Sequence, residues 1–153
     1  MTEGVVAELL TFRLGESECG VNILNVSEIR AYEQPTSISG VPDHLIGVVK
    51  WRGAIVPMID LRRLLGLPAP YNAFTVVIVV VVTGRSYGLI VDGVSNVLDV
   101  DCALIRTCPE DVSEHARLMS GYVPVGVLGG SIPLFLPNIE AIVLAPEIRS
   151  IVA

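Results

Sequence analysis

The stretch Val76 to Val82 reads VVIVVVV, seven consecutive apolar side chains, every one branched at Cβ. Such side chains are stiff about χ1 and crowd a helix, but they pack well on a pleated strand. A strand with no polar alternation must be covered on both faces. The chain therefore has to supply two apolar layers for this one strand. The run is also far short of the ~20 residues a bilayer-spanning helix needs. It sits within Phe74 to Thr83, and Gly84-Arg85 turns it back into Tyr87 to Asp92.

The rest of the chain reads as more short strands. Leu9 to Leu14 and Cys19 to Asn22 flank a turn at Gly15 to Glu18, and Ile46 to Trp51 and Ala54 to Ile59 flank Arg52-Gly53. Pro57 belongs on an edge or a bulge, because it cannot donate to a ladder. Asp60 reads as the N-cap of a short helix ended by Gly66 and Pro68. Val94 to Val100 suits a strand with a bulge or kink. Gly121 to Leu128 and Ile132 to Leu136 pair across Gly129-Gly130, and Asn138 caps a last helical turn over Ala141 to Ala145. Ile23 to Ile29, with Ile23, Val26 and Ser27 at i, i+3, i+4, predicts one or two helical turns. The second half repeats the style of the first rather than its sequence. Short strands, regular turns and scarcely any helix point to small barrels or a sandwich.

Composition narrows the function. A chain of 153 residues suits one compact domain or two very small ones, and folding at this size buries roughly 68–70% of the unfolded surface. With 52% hydrophobic and 17% charged residues, intrinsic disorder is excluded. A net charge of −6 with a single lysine argues against nucleic acid and against an anionic lipid surface. The opening MTEGVVAELL lacks the basic start of a secretory signal, so a cytoplasmic location is expected. Cys19, Cys102 and Cys108 form no CxxC pair and read as reduced structural thiols.

No motif demands a cofactor. Cys102, Cys108 and His115 match no usual zinc spacing, and Cys108 with His115 has no cue that lowers a thiol pKa. Asp99 and Asp101 face one side of a strand and read as a polar edge. Glu110, Asp111 and Glu114 read as the first turn of a helix after Pro109. The glycines at 121, 126, 129 and 130 are followed by no Lys-Ser or Lys-Thr, so there is no phosphate loop.

What remains is the segment GVVKWRGAIVPMIDLR, from Gly47 to Arg62. It throws Lys50, Trp51 and Arg52 toward the Gly53 turn, and buried aromatic and Arg anchors are common carriers of protein-protein binding energy. This predicts a docking edge. Arg52 reads as a solvated turn arginine or as one paired with Glu28, Lys50 is expected to be solvated, and Trp51 to lie either in the core or at the surface, since alternation does not settle its face.

In order along the chain, FRLGESECGVNILNVSEIRAYE, GVVKWRGAIVPMIDLR, TVVIVVVVTGRSYGLIVDGVSNVL and IRTCPE resemble the CheW-like coupling domain of bacterial chemosensory systems. The resemblance spans residues 8–145 and rests on Arg52-Gly53, Pro57 and Asp60-Leu61-Arg62, on Val26-x-Glu28-Ile29, and on Val91-Asp-Gly-Val94. It implies an all-β fold with a few short helices, in which two intertwined five-stranded barrels, similar to Src-homology modules, share a hydrophobic core as one domain. Residues 1–7 and 146–153 are then expected to be loose ends. It implies no catalysis and no cofactor, and as partners the cytoplasmic tip of a chemoreceptor and the regulatory domain of a CheA-like histidine kinase at receptor arrays. Carried over residue by residue, Glu28 and Arg52 lie near the coupling interface with Gly47, Lys50, Trp51 and Gly53 around them, and Val26, Ile29 and Val76 line an apolar receptor groove.

The chain departs from the family where Lys50-Trp51 stands in place of the usual Asn-Leu before Arg-Gly, and where Cys19 replaces a common aromatic. The change from amide to donor-only cation leaves open a sister adaptor or competitor in another pathway, such as pilus-driven motility. An enzyme with a site between the barrels is a further alternative, and exposed strand edges leave weak self-association open.

Overall fold

The computed structural model describes residues 6–106, 118–127, 130–146 and 148. In chain order the strands are β1 (Val6–Leu14), β2 (Ser17–Asn22), β3 (Val26–Ala31), β4 (Leu45–Trp51), β5 (Ala54–Asp60), β6 (Val76–Val82), β7 (Arg85–Val91), β8 (Gly93–Asp101), β9 (Met119–Val127) and β10 (Gly130–Pro137). Two short helices, α1 (Leu61–Leu64) and α2 (Ile139–Val143), follow β5 and β10. Among the described residues no helix is long and apolar enough to cross a membrane.

The strands form two five-stranded sheets, ordered β8-β1-β2-β10-β9 and β3-β6-β7-β5-β4. The pairing schemes are the same. β1 lies antiparallel between β2 and β8 as β6 lies between β7 and β3, and β10 runs parallel to β2 as β5 does to β7. The chain is thus two successive copies of one unit, β1 to α1 and β6 to α2. The copies exchange strands, because β3, β4 and β5 complete the sheet of β6 and β7 while β8, β9 and β10 complete that of β1 and β2. Some residue identities survive at equivalent places: Val26-Ser27 matches Val94-Ser95 and Gly20 matches Gly88.

Strand exchange explains the valine run. Val77 and Val79 point into the second barrel, among Val49, Trp51, Val56, Met58 and Ile90. Ile78, Val80 and Val82 point the other way, into a core shared with Leu10, Phe12 and Leu14 of the first sheet and with Ile139, Ile142 and Val143 of α2. Alternate β1 residues divide likewise, since Leu9 joins Val100, Val123, Leu134 and Leu136 inside the first barrel. Three apolar layers therefore lie side by side, and both central strands are buried on both faces.

Among the described residues each sheet is closed by a bridge beyond its edge. Thr36 and Val48 exchange backbone hydrogen bonds of 2.9 Å each, and Arg106 and Tyr122 do so at 2.8 Å. A glycine precedes the bridged residue both times. A Cβ on Gly47 would run into the Thr36 carbonyl oxygen, and one on Gly121 into that of Arg106. Gly47 also has φ 151°. Its absent side chain is what lets the barrel close.

Several local expectations change. The helix expected over Ile23–Ile29 is only a 3-10 turn at Ile23–Asn25, capped by the Asn22 side chain, which accepts from the Leu24 N–H at 2.9 Å; Val26 to Ala31 is strand β3. The reason is a bulge. Val26 pairs with Val80, Glu28 with Val79 and Ile29 with Ile78, so Ser27 is the extra residue, and Val26 and Ile29 share a face at i, i+3 spacing without a helix. The same device in β8 sets Val94 opposite Phe12 and Val97 opposite Leu10. Pro57 lies in β5, an inner strand, but pairing with β7 begins only at Met58, so the proline has a neighbour on one side. Near the ends, Val6 and Ala7 already pair with Asp101 and Val100, and Ile148 is buried in the shared core. The segment holding Cys108, Glu110, Asp111, Glu114 and His115 lies outside the described residues, as does Gly129.

Two predictions follow from closure and exchange. Gly47→Ala should destabilise the fold by about 2–4 kcal/mol in chemical denaturation, because a backbone carbonyl has no rotamer by which to yield, whereas Gly53→Ala, with open space around it, should cost only about 1 kcal/mol for its positive φ. Fragments 1–69 and 70–153, each lacking strands that complete its sheet, should show no cooperative thermal transition alone and should regain one when mixed in equal amounts.

Candidate functional site

Two charged clusters frame the second barrel, one sealed and one open. The sealed one begins at Asp60, which ends β5 and caps α1 by accepting from the Arg62 N–H at 3.0 Å. Both residues are completely buried. The Arg62 guanidinium donates from Nε and Nη2 to the two Asp60 oxygens at 2.9 and 3.0 Å, and from Nη1 to the Pro70 carbonyl at 2.6 Å and to Asp92 at 3.1 Å. Tyr71 lies under it, 5.1 Å from Cζ, and donates its hydroxyl to Asp60 at 3.1 Å. The other Asp92 oxygen accepts from the Gly15 N–H at 2.7 Å, so the cluster ties the β1-β2 turn to the second sheet.

Burial works against the Arg62 charge, but its hydrogen bonds to Asp60 and Asp92 and the negative charge of both outweigh it and raise its pKa. Burial and the charge of Asp60 likewise push Tyr71 up. This is the physical content of the Asp60-Leu61-Arg62 and Val91-Asp-Gly-Val94 motifs. Sequence reasoning found the Asp60 cap but missed the buried arginine. The signal was present: an Arg two residues after a capping Asp, in an otherwise apolar chain, has a fork ready to meet it.

The open cluster is the expected docking corner. Arg52 and Gly53 both take positive φ, 53° and 79°, giving the two-residue hairpin turn that matches strand twist. An asparagine would sit there more comfortably; for a residue with a Cβ the left-handed conformation costs roughly 1–2 kcal/mol. Thr83 and Gly84 form the same turn between β6 and β7, at 49° and 80°. The Arg52 side chain is 76% exposed, and its Nη2 donates to Glu28 Oε2 at 3.0 Å. The expected pair forms across the β3 and β4 edges.

Trp51 is 9% exposed, on the barrel-interior side. Its indole N–H donates to Glu33, and Arg30 lies 4.3 Å above its ring. Arg30 also donates to Glu28 Oε1 at 3.1 Å. Trp51 is thus an inward support, neither an isolated core residue nor an exposed anchor. Lys50 is exposed, as a solvated cation should be. Gly47 is buried and serves closure, so its side of the segment offers no contact surface.

The apolar candidates lie on the opposite face of β3. Val26, Ile29 and Ala31 pair with Val80, Ile78 and Val76, on the side of the shared core, and Ile29 is left 46% exposed there. Val26 and Val76 are partly buried against that core. Glu28 and Arg30, opposite Val79 and Val77, face the second barrel's interior side. One strand therefore presents a charged edge to one side and an apolar one to the other.

Among the described residues nothing resembles a reaction centre. Burial and the neighbouring Glu18 charge push the Cys19 thiol up to about 12, which leaves it protonated and unreactive. Asp101 caps a 3-10 turn by accepting from the Ala103 N–H at 2.9 Å, and Asp99 is exposed. In the first barrel the equivalent of Glu28 is Asn96, which is held by Thr11 through its backbone and its side chain. Among the described residues the charged corner has no twin there.

Replacing Arg62 by Met should cost about 3–5 kcal/mol, since Asp60 and Asp92 would be left without their buried counter-charge, while Arg63→Ala, half-exposed and only 3.9 Å from Asp60, should stay within about 0.5 kcal/mol; urea unfolding of both variants checks this.

Comparison with known proteins bears on both clusters. The family model described as CheW-like domain matches residues 8–146. A chemotaxis protein CheW from Klebsiella aerogenes is 42% identical over 95% of this chain and 86% of its own length. That of Bacillus subtilis is 30% identical over 70% of this chain and 69% of its own. Among solved structures, the scaffolding protein TtCheW from Thermoanaerobacter tengcongensis superposes with a TM-score of 0.74 at 26% identity, covering 84% of this chain and 83% of the other. A family match over nearly the whole length, a shared fold and relatives above two-fifths identity lead to one conclusion: the chain belongs to the CheW-like domain family, the non-catalytic coupling adaptors of chemotaxis signalling.

Proposed function

We propose that residues 8–145 act as one rigid unit that holds the cytoplasmic tip of a chemoreceptor beside the regulatory domain of a CheA-type histidine kinase, within receptor arrays. The observation that carries this is the geometry of β3. Its Glu28 edge ties to the exposed Arg52 turn, and its Ile29 edge opens beside the shared core. A single strand sets the distance between the two surfaces. In this reading the Arg52 corner receives the kinase, and Val26, Ile29 and Val76 receive apolar side chains of the receptor.

Coupling needs more than proximity. An adaptor that bound both kinase states equally would shift nothing, so the contacts must differ between states. The Glu28-Arg52 pair suits that task, because an exposed pair contributes only about 0–1 kcal/mol to folding. It can be remade against a partner at little cost to the fold.

Arg52→Ala should weaken binding to the kinase regulatory domain by about 2 kcal/mol, the size of a binding hot spot, and leave the melting temperature within about 2 °C. Ile29→Asp should instead impair receptor capture and spare the kinase. Pull-down against both partners checks the assignment. Loss of both in either variant with the fold intact would mean one shared surface, and retention of both by Arg52→Ala would remove the corner from the interface.

A further inference from the structure

The corner holds a third residue that neither motif nor pairing expectation singles out. Glu28 is shared: its Oε1 accepts from Arg30 at 3.1 Å and its Oε2 from Arg52 at 3.0 Å. Arg30 does not hang free. Its guanidinium stands 4.3 Å over the Trp51 ring, and the ring is pinned by its own N–H on Glu33 and by the barrel interior behind it. Arg52, by contrast, projects from a turn, and among the described residues its side chain bonds to Glu28.

A carboxylate facing one arginine closes on it with both oxygens, the strongest form of the pair. Such a closed pair is electrically spent, with little left for a third group. Arg30 prevents this by occupying one oxygen. A flat aromatic is needed to seat it, since a guanidinium stacks on the face of an indole. A leucine in place of Trp51 would offer no such face, so the arrangement depends on the indole of Trp51.

We infer that Arg30, seated on Trp51, is a positioning residue of the coupling corner: it holds one oxygen of Glu28 and so keeps the Arg52 guanidinium available to a carboxylate on the docking partner. The inference rests on the corner being the kinase-binding site, and it adds the chemistry of the contact, an acidic side chain on the partner's face. Glu33 is engaged by the indole N–H and is not a second ligand for Arg52.

The experiment measures binding of the full-length chain to the regulatory domain of its CheA-type kinase by calorimetry and stopped flow at several salt concentrations. Arg30→Met should weaken binding roughly five- to tenfold, mainly through a slower on-rate and with a shallower salt dependence. Adding Glu28→Gln to Arg30→Met should restore affinity to within about twofold of the parent, because Arg52 is freed once Glu28 carries no charge. A merely structural Arg30 would not be rescued in this way. Trp51→Leu, which leaves Arg30 in place but removes its seat, should fall between the parent and Arg30→Met. Wild-type affinity in Arg30→Met, or failure of Glu28→Gln to rescue it in a variant with native melting, overturns the inference; should Arg30→Met not fold, Trp51→Leu with unchanged affinity does so. Arg52→Ala is the separate control: if it binds like the parent, the corner is not the kinase site and the inference falls with that reading.

Discussion

Neither sheet of this protein can be completed by the half of the chain that begins it. β3 to β5 leave the first copy of the unit to finish the sheet of the second, and β8 to β10 return the exchange. Everything else depends on that interlock. It forces β1 and β6 to be buried on both faces, and so creates the shared core between two barrels that each have an interior of their own. It also concentrates cost in a few places where backbones must approach, at Gly47 and Gly121 beside the closing bridges. Swapped strands tie the two barrels into one interlocked body.

The Asp60-Arg62-Asp92 cluster locks that body. A fully buried guanidinium is tolerable only when its fork is filled, and here two carboxylates, a carbonyl and a tyrosine ring fill it. Because Asp92 also holds the Gly15 N–H, the cluster spans the junction of the two copies. Its worth is positional as well as energetic: it fixes where the turn of one sheet meets the body of the other.

Against this locked frame the corner at Arg52 is asymmetric. The bulged strands β3 and β8 share their geometry, yet β3 carries Glu28 where β8 carries Asn96, and Asn96, itself exposed, is held by Thr11 of the neighbouring strand. Duplication supplied two equivalent edges, and side-chain chemistry made one of them an exposed ion pair. Trp51 shows the same economy of means. A residue whose face alternation leaves open is turned inward, where its ring supports Arg30 and its N–H meets Glu33.

The sequence alone determined the strand-rich class, the hairpin turns, the Asp60 and Asn138 caps, the double coverage of Val76 to Val82, and the pairing of Glu28 with Arg52, because each rests on local backbone chemistry or on motifs carried whole along the chain. Only the tertiary structure decided the rest. Val26 and Ile29 share a face because of a bulge whose spacing mimics a helix, and a bulge exists only once a partner strand is in register. The burial of Arg62, the inward side of Trp51 and the role of Gly47 at the barrel seam depend on groups far away in sequence, Asp92, Glu33 and Thr36. The repeated unit itself stayed hidden, since two copies that exchange strands need to agree in hydrogen bonding and burial, and very few identical side chains are enough for that.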